Sequence, residues 1–292
     1  MGNNREAILK TLLYADIFNF PLEKKEVWKF LISKDKLDEK KLFESISQKD
    51  KFIEFKNGFY FIKGRKELVY LRKKRQKISG EKLRIAKKII KKISYFPTVK
   101  FIGISGALSM QNSDEEDDID LFVISEKNFV WTTRFILVLS LILMGVYRNK
   151  NSKVYKDKIC LNMIIDEDNM VLDKQNQNLY TAHEIIQTVP LFEKNNTYKK
   201  FIEKNNWYKN FLANATAMER IYLRKKTNYF DFIFIKLLNI IFIEKITRLI
   251  QKKYMEKNIT KETIKNGFLA LHPFDYKSYV LKTYEEKLNK YI

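Results

Sequence analysis

The reading turns on FIGISGALSMQNSDEEDDIDLFVI, Phe101 to Ile124. Its opening residues belong to VKFIGIS, Val99 to Ser105, a β-branched run that suits a buried strand and follows closely on Pro97. A turn of small residues, Ser105-Gly106-Ala107, comes next, then an acidic loop, then a second strand over Ile119 to Ile124. Asp118 and Asp120 stand two residues apart. In extended chain they project to one face, while Ile119 and Leu121 project to the other. Adjacent carboxylates repel unless a cation lies between them, and an all-oxygen pair suits Mg²⁺ or Mn²⁺. Ions held this way neutralise a triphosphate, align an attacking oxygen and stabilise a leaving pyrophosphate. Backbone N–H groups of Ser105, Gly106 and Ala107 can approach phosphate oxygens, and Ser109 adds a hydroxyl donor. The plainer alternative is a solvated acidic loop, because DEEDDID carries Asp114, Glu115, Glu116 and Asp117 beside the pair. A strand on each side and the small-residue turn favour a site.

On these residues the chain resembles the nucleotidyltransferase superfamily, which includes polymerase-beta-like and aminoglycoside-adenylylating enzymes. That family's signature is a glycine pair or Gly-Ser, a spacer, then acid–apolar–acid–apolar. Here Gly106-Ala107 matches the first part, Leu108 to Asp117 the spacer, and Asp118-Ile119-Asp120-Leu121 the acidic strand. The resemblance covers about Phe101 to Ile165. It implies an α+β fold with a central mixed sheet and flanking helices. It also implies Mg²⁺-dependent transfer of a nucleoside monophosphate from an NTP to an acceptor hydroxyl, with Asp118 and Asp120 as metal ligands and Gly106 on the phosphates.

Two departures matter. Ala107 stands where the family often has Ser, and an alignment shifted onto Gly103 or Ser105 remains conceivable. The family's third carboxylate should come from a later strand, but KICLNMII, Lys158 to Ile165, has none. Asn162 takes its expected position; it can still coordinate a metal through its carbonyl oxygen but is a poor general base, and Asp157 and Asp166 flank the strand as weaker candidates. The alternative function is therefore a degenerate, non-catalytic relative that binds nucleic acid.

Outward from this segment, Arg5 to about Phe30 reads as two amphipathic helices broken at Phe18-Asn19-Phe20-Pro21, and a third covers Glu39 to Ser47. In FIEFKNGFYFI, Phe52 to Ile62, Asn57-Gly58 is a two-residue hairpin turn. Three helices and a hairpin is the order of a winged helix, a fold that grips DNA or holds proteins together. From Lys63 to Lys92 the chain is helical in period and basic, with Glu67 and Glu81 as its only acids and a break expected at Gly80. Arg72, Lys73, Lys74 and Arg75 centre the expected nucleic-acid surface; connector helices with a solvated basic face are the alternative.

The 292 residues carry a net charge of +21, which favours polyanionic partners. With 8 Gly and 4 Pro, short turns rather than long linkers join the elements. The single Cys160 excludes an intrachain disulfide and reads as structural, as do His183 and His272. Phe129 to Tyr147 is strongly apolar but interrupted by Arg134; it reads as a buried crossover helix rather than a membrane span, with Arg134 paired to the acidic site or a phosphate. Beyond Gln177 the chain reads as helical, and its apolar, basic stretch Tyr229 to Lys253 leaves a membrane-surface contact as a third option. The expected organisation is a winged-helix-like domain over 1–65, basic connector helices over 66–95, a nucleotidyltransferase-like domain over 96–175 and a helical region over 176–292. The N-terminal MGNNREAILK lacks a signal peptide's apolar centre, so a cytoplasmic protein is the default expectation.

Overall fold

The computed structural model describes residues 2–46, 50–149, 154–240, 242–256, 263–271 and 275–292; Ser47 and His272 lie outside them. The N-terminal unit places helix α1 (Gly2–Asp16) before strand β1 (Leu22–Glu23), helices α2 (Lys24–Lys29) and α3 (Glu39–Phe43), and the hairpin β2 (Ile53–Lys56) and β3 (Phe59–Ile62). Asn57 and Gly58 both have positive φ, 52° and 91°, as a tight two-residue turn between right-twisted strands requires. β1 adds to β3 and makes a three-stranded antiparallel sheet.

Helix α4 (Leu68–Ile93) then runs unbroken through Gly80, where a break was expected. Nothing crowds that glycine, and its buried neighbours Ser79 and Lys82 tie the helix to the Ser113–Asp117 loop on either side of it. α4 buries Leu68, Arg72, Ser79, Lys82, Ala86, Ile89, Ile90 and Ile93, a stripe of helical period that includes two cations.

The larger sheet has seven strands. In chain order they are β4 (Val99–Ile104), β5 (Ile119–Ser125), β6 (Ile159–Asp166), β7 (Val189–Lys194), β8 (Leu223–Lys225), β9 (Thr263–Lys265) and β10 (Phe268–Ala270). In space the order is β8-β7-β4-β5-β6-β10-β9. The β5–β6 and β7–β8 pairs are parallel and the rest antiparallel, so the sheet is mixed. Helices α5 (Gly106–Ser109) and α6 (Val130–Leu143) precede β6, and α7 (Leu179–Gln187) precedes β7. α8 (Thr197–Lys204), α9 (Tyr229–Ile240), α10 (Ile243–Glu256) and α11 (Tyr276–Tyr291) complete the described helices.

The region beyond 176 is thus not wholly helical. It supplies β7, which pairs with β4 in mid-sheet, and three further strands. Pro190 obscures β7 in the sequence; it is tolerated because the β4–β7 register shifts beside Gly103, its partner. α6 is the crossover between parallel β5 and β6, as expected, but it is not buried all round: Phe135, Leu139, Ile142 and Leu143 face solvent.

The sheet has two apolar faces. Ile102, Ile104, Leu121 and Val123 pack with α4 and α6. Phe101, Phe122 and Ile124 join one continuous core with α7, α11 and the N-terminal unit. The even-numbered positions of β5 therefore look toward the N-terminal unit, and Asp120 shares that parity. No helix is long and apolar enough to cross a membrane among the described residues.

Candidate active site

Asp118 lies one residue before β5 and Asp120 is its second residue. Parallel pairing sets Asp120 opposite Cys160 of β6. One ligand atom each from Asp118, Asp120 and Cys160 lies within 4.8 Å of the other two. Cys160 thus stands beside the pair, and Asn162, expected in the third position, lies two residues further along the same strand. Asn162 is buried, lines the same recess and donates from Nδ2 to Ser105 Oγ at 3.3 Å. Asp157 and Asp166 are used elsewhere. Asp157 pairs with Lys82 at 2.8 Å, and Asp166 accepts N–H groups from Asn128, Asp168 and Asn169.

The glycine turn meets the pair directly. Gly106 has φ +62°, and a Cβ there would lie 2.6 Å from Asp120 Oδ2. Only glycine lets the backbone close on that carboxylate. Ser105 N–H donates to the Asp120 carbonyl at 3.0 Å, tying the turn to β5. Ala107 lines the recess with Gly106. Ser109 turns its hydroxyl back to the Gly106 carbonyl at 2.7 Å and is not part of the recess wall.

Burial raises the pKa of Asp120 to about 7, reinforced by the Asp118 charge. Asp118 is also raised, by burial, with Arg148 opposing the rise. Arg148 Nη1 lies 2.8 Å from Asp118 Oδ2, yet no N–H is aimed at that oxygen, which is buried and lacks a hydrogen bond. The same Nη1 donates to Cys160 Sγ at 3.3 Å. The Cys160 thiol is pushed up by burial and by the two carboxylates, so it stays protonated. These features test the fit of a cation. Two carboxylates that resist simultaneous ionisation, one with an orphaned oxygen, suit a hard divalent ion; a neutral thiol does not add a ligand for Mg²⁺.

Arg148 and not Arg134 is the cation at the pair. Arg134 points to α10, where Nη1 donates to Gln251 Oε1 at 2.6 Å. Neither Arg148 nor Cys160 carries a sequence signal of its own, because a parallel register across a crossover brings them to Asp118 and Asp120.

Above the acids is a cavity of about 350 Å³, within the range of small-molecule sites. Tyr14, Phe18, Phe20 and Phe30 of the N-terminal unit form one wall, and Tyr180, His183 and Glu184 of α7 another. His183 stacks on Tyr14 with ring centroids 4.0 Å apart, and burial lowers its pKa to about 4, so it stays neutral. Glu184 is the residue that sequence reasoning missed: burial raises it to about 7, and it lines both this cavity and a neighbouring one of about 530 Å³. Its one signal is that it is the single acid of an otherwise neutral helix, LYTAHEIIQ. The second cavity also contains Asn162, Tyr180, Asn176, Asp173, Lys265 and Lys277.

The four cations expected to face nucleic acid divide. Arg72 is only 2% exposed, which removes it from any polyanion surface: it donates to the Met110 carbonyl and to Glu26, and its guanidinium lies 3.8 Å from the Phe20 ring centre. Arg75 forms a two-pronged pair with Asp114 at 2.6 and 3.1 Å. Lys73 and Lys74 are exposed. Lys82, 2% exposed, donates to the carbonyls of Glu115 and Asp117 and to Asp157, pinning the acidic loop from beneath. Lys82 and Arg75 of α4 are thus scaffolding for the loop that leads into Asp118, while most of the helix's cations stay on its outer face.

Comparison of the chain with protein-family models, with curated proteins and with solved structures returned no match.

Proposed function

We propose that this protein is a divalent-metal-dependent nucleotidyltransferase that moves a nucleoside monophosphate from an NTP to an acceptor hydroxyl. One observation carries the reading: Gly106 is packed against Asp120 Oδ2 at the floor of an aromatic-walled cavity, beside Asp118. Asp118 and Asp120 would hold the ion, Mg²⁺ or Mn²⁺, whose chemistry there is to neutralise the triphosphate. The Gly106-Ala107 turn approaches the phosphates through backbone N–H groups, and Phe18, 37% exposed on the aromatic wall, offers a flat face to a base. The acceptor oxygen attacks the α-phosphorus as the bond to the β-phosphate oxygen breaks, and pyrophosphate leaves with that electron pair. Glu184, held near neutrality between the two cavities, takes the acceptor's proton. Arg148 balances charge at Asp118. In this reading Cys160 replaces a third carboxylate, so the base comes from α7 rather than from β6.

The test is NTP binding with and without Mg²⁺, and transfer of label from an NTP labelled at its α-phosphate. Asp118→Asn and Asp120→Asn are expected to remove the metal dependence and the label. Binding indifferent to metal in the wild type and in both variants overturns the reading.

A second reading, a nucleic-acid-binding protein with an inactive site, is favoured by the exposed row Lys73, Lys77, Arg84, Lys88 and Lys92 on α4. It requires affinity that falls steeply with salt.

A further inference from the structure

Three polar side chains of helix α10 face the protein. Glu244 accepts the N–H groups of Trp131 and Thr132 at 2.9 and 2.8 Å, capping α6. Thr247 Oγ1 lies 3.3 Å from Thr132 Oγ1, and Gln251 Nε2 donates to the Trp131 carbonyl at 2.7 Å while its Oε1 accepts from Arg134. Ile246, Leu249, Ile250 and Tyr254, at helical spacings of three and four, face solvent; Leu249 is 71% exposed and Tyr254 68%.

The two neighbouring helices also leave apolar side chains in solvent. On α6, which packs against α10, Phe135, Leu139, Ile142 and Leu143 form an outward stripe, with Leu143 80% exposed. On α9, Phe230, Ile233 and Leu237 do the same, while its acid, Asp231, is buried against Lys194. Eight aliphatic and three aromatic side chains on three helices that pack together are thus left in water, the kind of apolar surface that marks a contact site.

Charge identifies the occupant. Lys236, Lys245, Arg248 and Lys253 are exposed along α9 and α10, whereas Asp231 and Glu244 are turned to the protein. Aliphatic and aromatic side chains bordered by cations match an anionic lipid surface, where apolar groups enter the acyl boundary and lysine stems reach back to headgroups. A two-fold contact with a second copy would set these cations against their equivalents. The helices, of 12 and 14 residues, are too short to cross a bilayer. We infer that α6, α9 and α10 form a docking face by which the protein lies on an anionic membrane. This inference is independent of the nucleotidyltransferase reading.

The experiment is flotation of the full chain with phosphatidylcholine vesicles, alone or mixed with phosphatidylglycerol. The protein is expected to float with the mixed vesicles and to be released by salt. Leu249→Ser with Ile250→Ser should lower partitioning by about tenfold or more, from the loss of two inserted side chains. Lys245→Glu with Lys253→Glu should lower it about thirtyfold or more on mixed vesicles, at ~1 kcal/mol for each cation lost. All four positions are exposed, so thermal unfolding of both variants should match the wild type. Failure to float with either vesicle overturns the inference. So does a dimer in light scattering that Leu249→Ser with Ile250→Ser dissociates while vesicles bind neither form.

Discussion

Gly106→Ala separates what the glycine does for the fold from what it does for the site. The φ of +62° is left-handed, which costs an L-residue about 1–2 kcal/mol. The added Cβ would also meet Asp120 Oδ2 at 2.6 Å. The cheapest relief is rotation of that short side chain, and a displacement of about 30° costs only ~0.5–1.5 kcal/mol. Stability should therefore fall by about 1.5–3.5 kcal/mol in total, while the carboxylate swings out of line with Asp118. Gly58→Ala is the matched control. Gly58 sits at φ +91° with nothing within 4 Å of a Cβ, so it carries backbone strain without the clash. Urea unfolding of both variants, with Mg²⁺-NTP affinity measured where both remain folded, gives the contrast. Both should lose stability, but only Gly106→Ala should lose metal-dependent NTP binding. If Gly106→Ala binds Mg²⁺-NTP like the wild type, Asp120 is not held by this contact and the reasoning fails.

Burial of Glu184 sets a pH dependence. Its carboxyl keeps a proton up to about 7 when folded but only to about 4.5 when unfolded, so the native state binds more protons between those values. The Glu184 contribution to stability should be full below about 4.5, be lost as pH rises through about 7 and level off above it, beside a like contribution from Asp120; Glu184→Gln should remove at most ~3 kcal/mol of that decline, less by the share that water screens. Metal-free urea titrations across this range check it, and an unchanged slope in the variant refutes the burial. Lys82→Met strips three acceptors of a buried cation and should cost about 3–5 kcal/mol. It should also loosen the loop before Asp118; denaturation that differs by less than about 1 kcal/mol would deny it that role. Arg72→Ala should destabilise by a similar ~3 kcal/mol through Glu26, whereas Lys73→Ala with Lys77→Ala should stay within about 0.5 kcal/mol and lower only the salt-sensitive binding of a nucleic-acid probe. Equal stability of the two variants would return Arg72 to the surface.

What the sequence made legible was local. The alternation of Asp118, Ile119, Asp120 and Leu121 is a two-residue period, and β5 obeys it: Ile119 and Leu121 enter one core while Phe122 and Ile124 enter the other. Asn57-Gly58 carries its turn in its own backbone preferences. What stayed hidden depends on partners far along the chain. The opposition of Cys160 to Asp120 follows from the parallel register, which the crossover through α6 sets, and no spacing within KICLNMII announces it. β7 to β10 are three to six residues long, too short to show a period, and take their conformation from the strands they join.

Helical period, by contrast, was visible and still insufficient, because it marks a stripe without saying which way the stripe faces. On α4 the row Leu68, Arg72, Ser79, Lys82, Ala86, Ile89 and Ile93 is inward, so a count of cations overstates the surface charge by the two that are buried. The stripe itself held the clue, since Arg72 and Lys82 fall in phase with its apolar members. α10 poses the converse problem. Ile246, Leu249, Ile250 and Tyr254 have the spacing of a core-facing row, and amphipathicity alone would bury them. Glu244, Thr247 and Gln251 reverse the helix, because α6 offers them the free N–H groups of its first turn and the Trp131 carbonyl, polar partners that an apolar face could not satisfy. The direction of an amphipathic helix is thus decided by the neighbour it docks on, and here that neighbour turns the apolar row toward solvent.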